Sequence, residues 1–406
     1  MPSFPQISLM TQILNLEEVN VLNYSIIENV GIFLFVEEKE KGGVCPKCQS
    51  RTQKIHKNIK VTIRDIPMGE QDVFLQVNKP QMRCINCDSK FTKSINFIDK
   101  AGKFTKRFRD KIAKEALNSD IKNTAINNRV SEQQVRTILN NLYEELAEEK
   151  PKELKRLGID EIAFVKGQKN YCVVLVNLDT GQIVGMLEKR TEDVICEYLK
   201  SWGSDVLEGI EEVSIDLWKP YKNVADKLIS QAEIVADRFH VMKQINDELD
   251  RERRAIKRKN NKLKNKKSKG IIETLKKSKY ALLKNNENLI DEQKTKINEI
   301  QKVIPDLYAK YEGKEKFRMI FEKQLNWVDG LLEISDWLCD FGSLFPQSHG
   351  TIRRWIGEII AYFDNRTTQG MVEGINNKLK LIKRRGYGFR NFLNFKVISY
   401  LNFQAI

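Results

Sequence analysis

Apolar and polar positions repeat along this chain with two different periods, and the switches between them divide it into parts. In roughly the first hundred residues the repeat is two. Tyr24 to Val36, Lys60 to Ile66 and Asp72 to Val77 alternate as half-buried strands do. From 104 to 147 the repeat becomes helical. Phe108, Ile112 and Ala116 give a first helix one apolar face, and Asp120 is placed to cap a short second helix ending near Ile126. After a turn at Asn127-Asn-Arg-Val130, Ser131-Glu-Gln-Gln134 has the capping-box pattern that opens a third helix, with Val135, Ile138, Leu139 and Leu142 facing inward. A charged stretch, 148–156, reads as a linker. Strand texture then returns at Leu157–Phe164, Tyr171–Leu178 and Ile183–Leu187, the last two joined across Asp179-Thr-Gly-Gln182. A helix over about 192–202, a strand Glu212–Asp216, a helix opened by Pro220 and a strand Glu233–His240 follow. Antiparallel strands followed by strand–helix–strand–helix predict a mixed α/β sheet with helices on its faces. Residues 241–366 carry no strand pattern and read as helices with Trp327, Trp337 and Trp355 among their apolar positions. Near the end, Val372, Ile375, Leu379 and Ile382 form one helical stripe, Glu373, Asn377, Lys380 and Arg384 form an adjoining polar one, and Gly386 stops the helix. Phe392, Phe395 and Tyr400 predict one last packing helix.

The cysteines change this picture first. Of seven, four form two Cys-x-x-Cys pairs, Cys45/Cys48 and Cys84/Cys87, placed on either side of the alternating segments. Each pair can aim two thiolates at one ion, and four thiolates close a tetrahedral zinc site with no open position, so the site is structural. The competing reading is four free buried thiols. No secretory pattern opens the chain, which points to a reducing, cytoplasmic compartment and favours metal over disulfides. No apolar run is long enough to span a bilayer, so no membrane role is read.

Charge changes it again. The 406 residues carry a formal +14, which favours a polyanionic partner. Arg251–Lys269 alone holds eleven Lys and Arg against one Glu, although a cationic run of that kind is also what a solvated helix looks like. No acid lies between Lys378 and Lys396. Gln133, Arg136 and Thr137 project outward near the start of the third helix of 104–147, where a helix-turn-helix presents residues to base edges; an ordinary three-helix module fits the same pattern. Three acids stand apart: Asp160 and Asp216 on strands, Glu373 on the late helix. A sheet with a packed helix can gather them, and gathered carboxylates need a cation between them. Magnesium suits such oxygen ligands, and two such ions serve phosphoryl transfer. A solvated surface helix is the plainer explanation of Glu373 and its lysines.

Taken together, Gly158-Ile-Asp160-Glu-Ile-Ala-Phe164, Tyr171–Gly181, Ser214-Ile-Asp216-Leu-Trp218, Ala232-Glu-Ile-Val-Ala-Asp237-Arg-Phe-His240, and Val372-Glu373-Gly-Ile-Asn-Asn-Lys378 with Arg384-Arg-Gly-Tyr-Gly-Phe389 resemble the ISL-three (ISL3) family of bacterial insertion-sequence transposases. The resemblance covers nearly the whole chain. It implies a multidomain α/β protein: an N-terminal zinc-ribbon domain (1–100), a helix-turn-helix (101–150), and an RNase H-like DDE catalytic core (151–240 and 367–406) interrupted by an all-helical insertion (241–366). It implies Asp160, Asp216 and Glu373 as a catalytic triad holding two Mg²⁺, for which Mn²⁺ can substitute, beside the structural Zn²⁺. DNA contacts are expected from Gln133, Arg136, Thr137, Asn377, Lys380, Lys383, Arg384 and Arg385. Asp237 and His240 are expected to support the triad from behind. Double-stranded DNA, as terminal inverted repeats and target, is the expected partner, with at least a homodimer joining two ends. A non-catalytic DNA-binding regulator and a nuclease without strand joining remain the alternatives at this point.

Overall fold

A computed structural model describes residues 3–147, 150–165, 170–263, 265–366, 370–386, 389 and 391–404. The chain divides into two compact units, 1–148 and 149–404, the two last residues apart. Among the described residues no helix is long and apolar enough to cross a membrane.

In the first unit, helix α1 (Phe4–Leu14) precedes a five-stranded sheet. Its strands are β1 (Val19–Ile27), β2 (Gly31–Glu38), β3 (Ile55–Met68), β4 (Gln71–Arg83) and the short β5 (Lys90–Thr92). The path is β1-β2-β4-β3, with β5 on β4. Where the pattern predicts one strand over Tyr24–Val36, the structure has two, turned at 28–30. Asn29 (φ 60°) and Gly31 (φ 140°) take positive φ there, and the apolar residues that continue through the turn hide it from a periodicity argument. Alternate side chains, among them Leu34, Val36, Ile63, Val73, Leu75 and Val77, bury one face of the sheet against Leu14.

Three helices follow: α2 (Lys106–Asn118), α3 (Ile121–Asn127) and α4 (Glu132–Ala147). The caps of α3 and α4 are the ones the sequence predicts. Asp120 accepts from the Asn123 amide at 2.9 Å, and Ser131 and Gln134 exchange hydrogen bonds at 3.1 and 2.9 Å. Two side chains of β3 fasten these helices to the sheet. Arg64 donates to the carbonyls of Asn128 (2.9 Å) and Arg129 (2.6 Å) at the end of α3. Asp65, fully buried, accepts from Thr105 (2.6 Å) and from the Arg107 guanidinium (2.9 Å), which also reaches the carbonyls of Leu14 and Asn15. With one partner removed, the other would be a buried group left unsatisfied, so the anchorage is costly to break.

The second unit is built on β6 (Arg156–Val165), β7 (Asn170–Asn177), β8 (Gln182–Leu187), β9 (Glu212–Ile215) and β10 (Glu233–Ala236). Their order is β8-β7-β6-β9-β10. The first three pair antiparallel, and β6, β9 and β10 run parallel. Side-chain alternation gives the sheet two buried faces. Leu157, Ile159, Val173, Leu175, Val213 and Ile215 face a core shared with helices at 192–201 and 219–228 and with the helical region. Ile162, Val174, Val176 and Ile183 face the other way, against Val372, Ile375, Leu379 and Ile382 of helix α5 (Gly370–Arg385) and Phe395 of helix α6 (Phe392–Leu401). Gly158 lies under this contact. A methyl group there would stand 2.8 Å from Leu178 and 3.4 Å from Val372, so the close approach of α5 to β6 needs glycine. The region after β10 holds helices and no strand among its described residues. It starts at Arg238, three residues earlier than the pattern indicates, with a helix running to Leu263.

Candidate functional site

The cysteine pairs sit on two turns of one design. Cys45 N–H donates to the Ser50 carbonyl and Cys84 N–H to the Ser89 carbonyl, each at 2.9 Å; Gln49 and Asp88, at matching positions, both take φ near 60°. The turns bring Cys45, Cys48, Cys84 and Cys87 together, with all four Sγ atoms within 4.8 Å of one another and cross-pair separations of 3.6 Å (Cys45–Cys87) and 3.5 Å (Cys48–Cys84). A tetrahedral zinc with about 2.3 Å Zn–S bonds sets its sulfurs about 3.8 Å apart, so the donor set fits zinc.

In the second unit, strand register lines up three aspartates. Ile159 stands opposite Ile215, and Ile215 opposite Ala236, so Asp160, Asp216 and Asp237 are the next residues of three neighbouring strands. Asp160 is buried and its carboxylate is fixed on both oxygens. Oδ1 accepts from the Glu161 amide at 2.7 Å and Oδ2 from the Asn376 side-chain amide at 2.6 Å. Asp237 is equally buried and equally occupied, accepting from the Phe239 amide (3.0 Å) and standing 2.8 Å from His240 Nδ1. Asp216 differs. Its Oδ1 is buried with no partner.

Electrostatics follow this crowding. Burial pushes the Asp216 carboxyl up to about 6, the positive field of His240 opposes the shift, and the charges of Glu161, Asp160 and Asp237 add to it. Burial likewise raises Asp160, against the pull of the Glu161 amide. Burial pulls His240 down, but its bond to Asp237 and the surrounding carboxylates outweigh burial and leave it raised. Asp216 keeps an unpartnered acceptor beside the other carboxylates of the row, and these oxygen donors fit a hard divalent cation.

A cavity of about 480 Å³ opens over this row. Asp160, Glu161, Asp237 and His240 line it from the sheet side, and Glu373, Asn376 and Lys380 line it from α5. Asn285 and Arg318 bring the helical region to its wall. Asp216 is not on the lining; it lies between the two aspartates that are. Glu373 is exposed and faces the cavity across from the aspartates. Among the described residues the acids form no group as tight as the cysteines do.

The cavity face of α5 is therefore Glu373, Asn376 and Lys380, where the pattern had grouped Glu373 with Asn377, Lys380 and Arg384. Asn377, Arg384 and Arg385 are exposed. Lys383 is half-buried, donates to the Ala163 carbonyl of β6, and is lowered by burial, so it ties α5 to the sheet. Sequence reasoning passed over Asn376, although it lies one helical turn after Glu373, a spacing that puts two side chains on one face. It also passed over Glu161, which lies 2.6 Å from Arg190; that guanidinium stacks on Tyr171 and Trp218 at 4.9 and 4.8 Å. On α4, Gln133 and Thr137 are exposed and Arg136 is half-exposed, 3.6 Å from Glu132; Thr137 donates to the Gln133 carbonyl at 2.9 Å. Lys264 of the cationic tract and Tyr387-Gly388 of the quoted blocks lie outside the described residues.

Comparison with known proteins adds the following. Residues 157–399 match the model of a DDE family of ISL3 type described as "Transposase", and residues 41–87 match one described as "zinc-finger of transposase IS204/IS1001/IS1096/IS1165". The chain is 24% identical over 374 residues to the transposase for insertion sequence element IS1001 of Bordetella parapertussis, covering 88% of each. It is 30% identical over 259 residues to the transposase for insertion sequence element IS1557 of Mycobacterium tuberculosis, covering 59% of this chain and 57% of that one.

Proposed function

The chain belongs to the ISL3 family of transposases, and from that premise we propose how its residues divide the work of a DDE transposase of a bacterial insertion sequence. Asp160, Asp216 and Glu373 are the catalytic acids and hold two Mg²⁺, with Mn²⁺ able to substitute, in an RNase H-like core formed by 151–240 and 367–406. When bound, the ions activate the attacking oxygen and stabilise the leaving one. The observation that carries this reading is the buried, unpartnered Asp216 Oδ1 at the same level as Asp160, on the sheet whose cavity Glu373 faces.

The chain's own groups bind and orient the DNA. Lys380 at the cavity and the exposed Arg384 and Arg385 farther along α5 hold phosphates, with Asn377 beside them. Water attacks the phosphorus at each element end, and the bond to the 3′-oxygen breaks to leave a 3′-hydroxyl. That hydroxyl then attacks a target phosphodiester, and a target 3′-oxygen departs. The zinc ribbon (within 1–100) and the helix-turn-helix (101–150) bind the terminal inverted repeats, with Gln133, Arg136 and Thr137 at base edges. Joining two ends takes at least two copies of the chain. Asp237 and His240, bonded to each other, support the acids from the next strand.

The test is strand cleavage and strand transfer on an oligonucleotide carrying the element's end. Asp160→Asn, Asp216→Asn and Glu373→Gln keep end binding and lose both reactions. Asp237→Asn keeps measurable cleavage in Mg²⁺ or Mn²⁺. Full activity in Asp216→Asn, with none in a folded Asp237→Asn, would move the metal site one strand outward. Cleavage without joining in the unaltered protein would make it a nuclease.

A further inference from the structure

Asn376 lies in a block that the family resemblance includes and to which no role has been given. Three observations single it out. Its side-chain amide donates to Asp160 Oδ2 at 2.6 Å, joining α5 to the central strand of the sheet across 216 residues of sequence. Its own Oδ1 is buried and has no partner, as is Asp216 Oδ1. It lines the same cavity as Glu373 and Lys380, on the same face of α5.

An amide that served only to tie helix to sheet would satisfy both its ends, because a buried oxygen without a donor costs about 1–3 kcal/mol. Here two buried acceptors, one amide and one carboxylate, lie beside a third oxygen group, Asp160, whose orientation the same amide fixes. Protein donors complete neither. A cation satisfies oxygen acceptors of both kinds, since carboxylate and side-chain carbonyl oxygens are both ligands for hard divalent ions. The Glu161 amide holds Asp160 Oδ1 and the Asn376 amide holds Oδ2, so the carboxylate keeps one rotamer.

We propose that Asn376 is a positioning residue of the cation site: its amide N–H holds Asp160 in its binding rotamer, and its Oδ1 is kept free for the bound ion or that ion's water. This rests on the reading of Asp160 and Asp216 as the cation ligands. It also assigns α5 a second task. The helix that carries Glu373 sets the geometry of the first aspartate, so the two acids are placed by one contact.

The test is a Mn²⁺ titration of the full chain followed by electron paramagnetic resonance, which reads bound against free Mn²⁺ without needing turnover. Asn376→Ala is compared with Asn376→Leu, which keeps the side chain's branched shape and removes its hydrogen bonds, and with Asp160→Asn. The expected result is half-saturation shifted upward by about 10-fold to 100-fold in both Asn376 variants, the usual cost of losing a group that orients a ligand. The Mn²⁺ needed for half-maximal cleavage should rise in parallel. Should Asn376→Ala not fold, Asn376→Leu carries the measurement. Unchanged half-saturation in a folded Asn376 variant, with binding lost in Asp160→Asn, would overturn the proposal and leave the site reading standing. Unchanged binding in Asp160→Asn would overturn the site reading itself, and this proposal with it.

Discussion

The cysteine cluster and the acid row are both sets of metal-type ligands, and they are built in opposite ways. The cysteines come from two short turns, each positioned by its own backbone hydrogen bonds, and their sulfurs already stand at zinc-like separations. The acids come from the middle of β6, from the residues just past β9 and β10, and from a distant helix; Asp216 keeps an unpartnered oxygen, and Glu373 stands exposed at the cavity. The first arrangement is closed and local; the second is open and depends on the whole sheet. A ligand set that only has to hold an ion can be completed by its nearest neighbours in sequence. In the proposed reading, a set that takes a cation and DNA is left incomplete by its own chain: local amides hold Asp160 and Asp237, but no protein donor reaches Asp216 Oδ1.

The largest test of that contrast is to break the closed site. Cys84→Ser should lower zinc from one ion per chain to none and unfold the ribbon end of the first unit, since zinc-peptide binding contributes about 10–16 kcal/mol to folding. The second unit should keep its own melting transition. Elemental analysis with hydrogen exchange reads both, and a zinc-free protein with an intact first unit would refute it.

A smaller effect is expected where DNA sequence is read. Gln133→Ala or Arg136→Ala should relax discrimination for element ends by about 1–3 kcal/mol if either contacts a base. Substitutions at Lys257, Lys264 or Lys266 should weaken all DNA alike and reduce the salt slope by about one per charge. Competition binding at several salt concentrations separates the two classes. Full discrimination in both α4 variants would remove that helix from recognition.

The smallest concerns the open site in metal-free protein. The folded Asp216 carboxyl, near 6, lies above the unfolded value of about 3.9, so the native state binds the extra proton between them. The stabilising contribution is whole below about pH 4 and is lost as pH rises to 6. Asp216→Asn should flatten that slope in urea melts followed across the window, and saturating Mn²⁺ should flatten it in the unaltered protein. An unchanged slope in Asp216→Asn would place the titrating group elsewhere.

How much of this was legible in the sequence follows from the same contrast. The cysteine turns, the caps at Asp120 and Ser131, and the stripe Val372–Ile382 are local patterns, and each stands where the periodicity places it. The strand break at Asn29 was hidden, because apolar residues run through it. The alignment of Asp160, Asp216 and Asp237 needs the register of three strands, which no single segment encodes. Asn376 and Asn377 are adjacent and chemically identical in sequence; only the packing of α5 sends one to the cavity and the other to solvent. Lys383 reads as one more phosphate-binding cation until the sheet supplies a carbonyl for it.

The contact between Asn376 and Asp160 also sets an order of events during synthesis. The two residues are 216 positions apart. At about 5–20 residues per second, roughly 10–40 seconds pass between their translation. Residues 1–148 belong to a separate compact unit and precede both. A nascent chain thus carries residues 1–148 throughout the roughly 10–40 seconds before the contact between Asn376 and Asp160 can form.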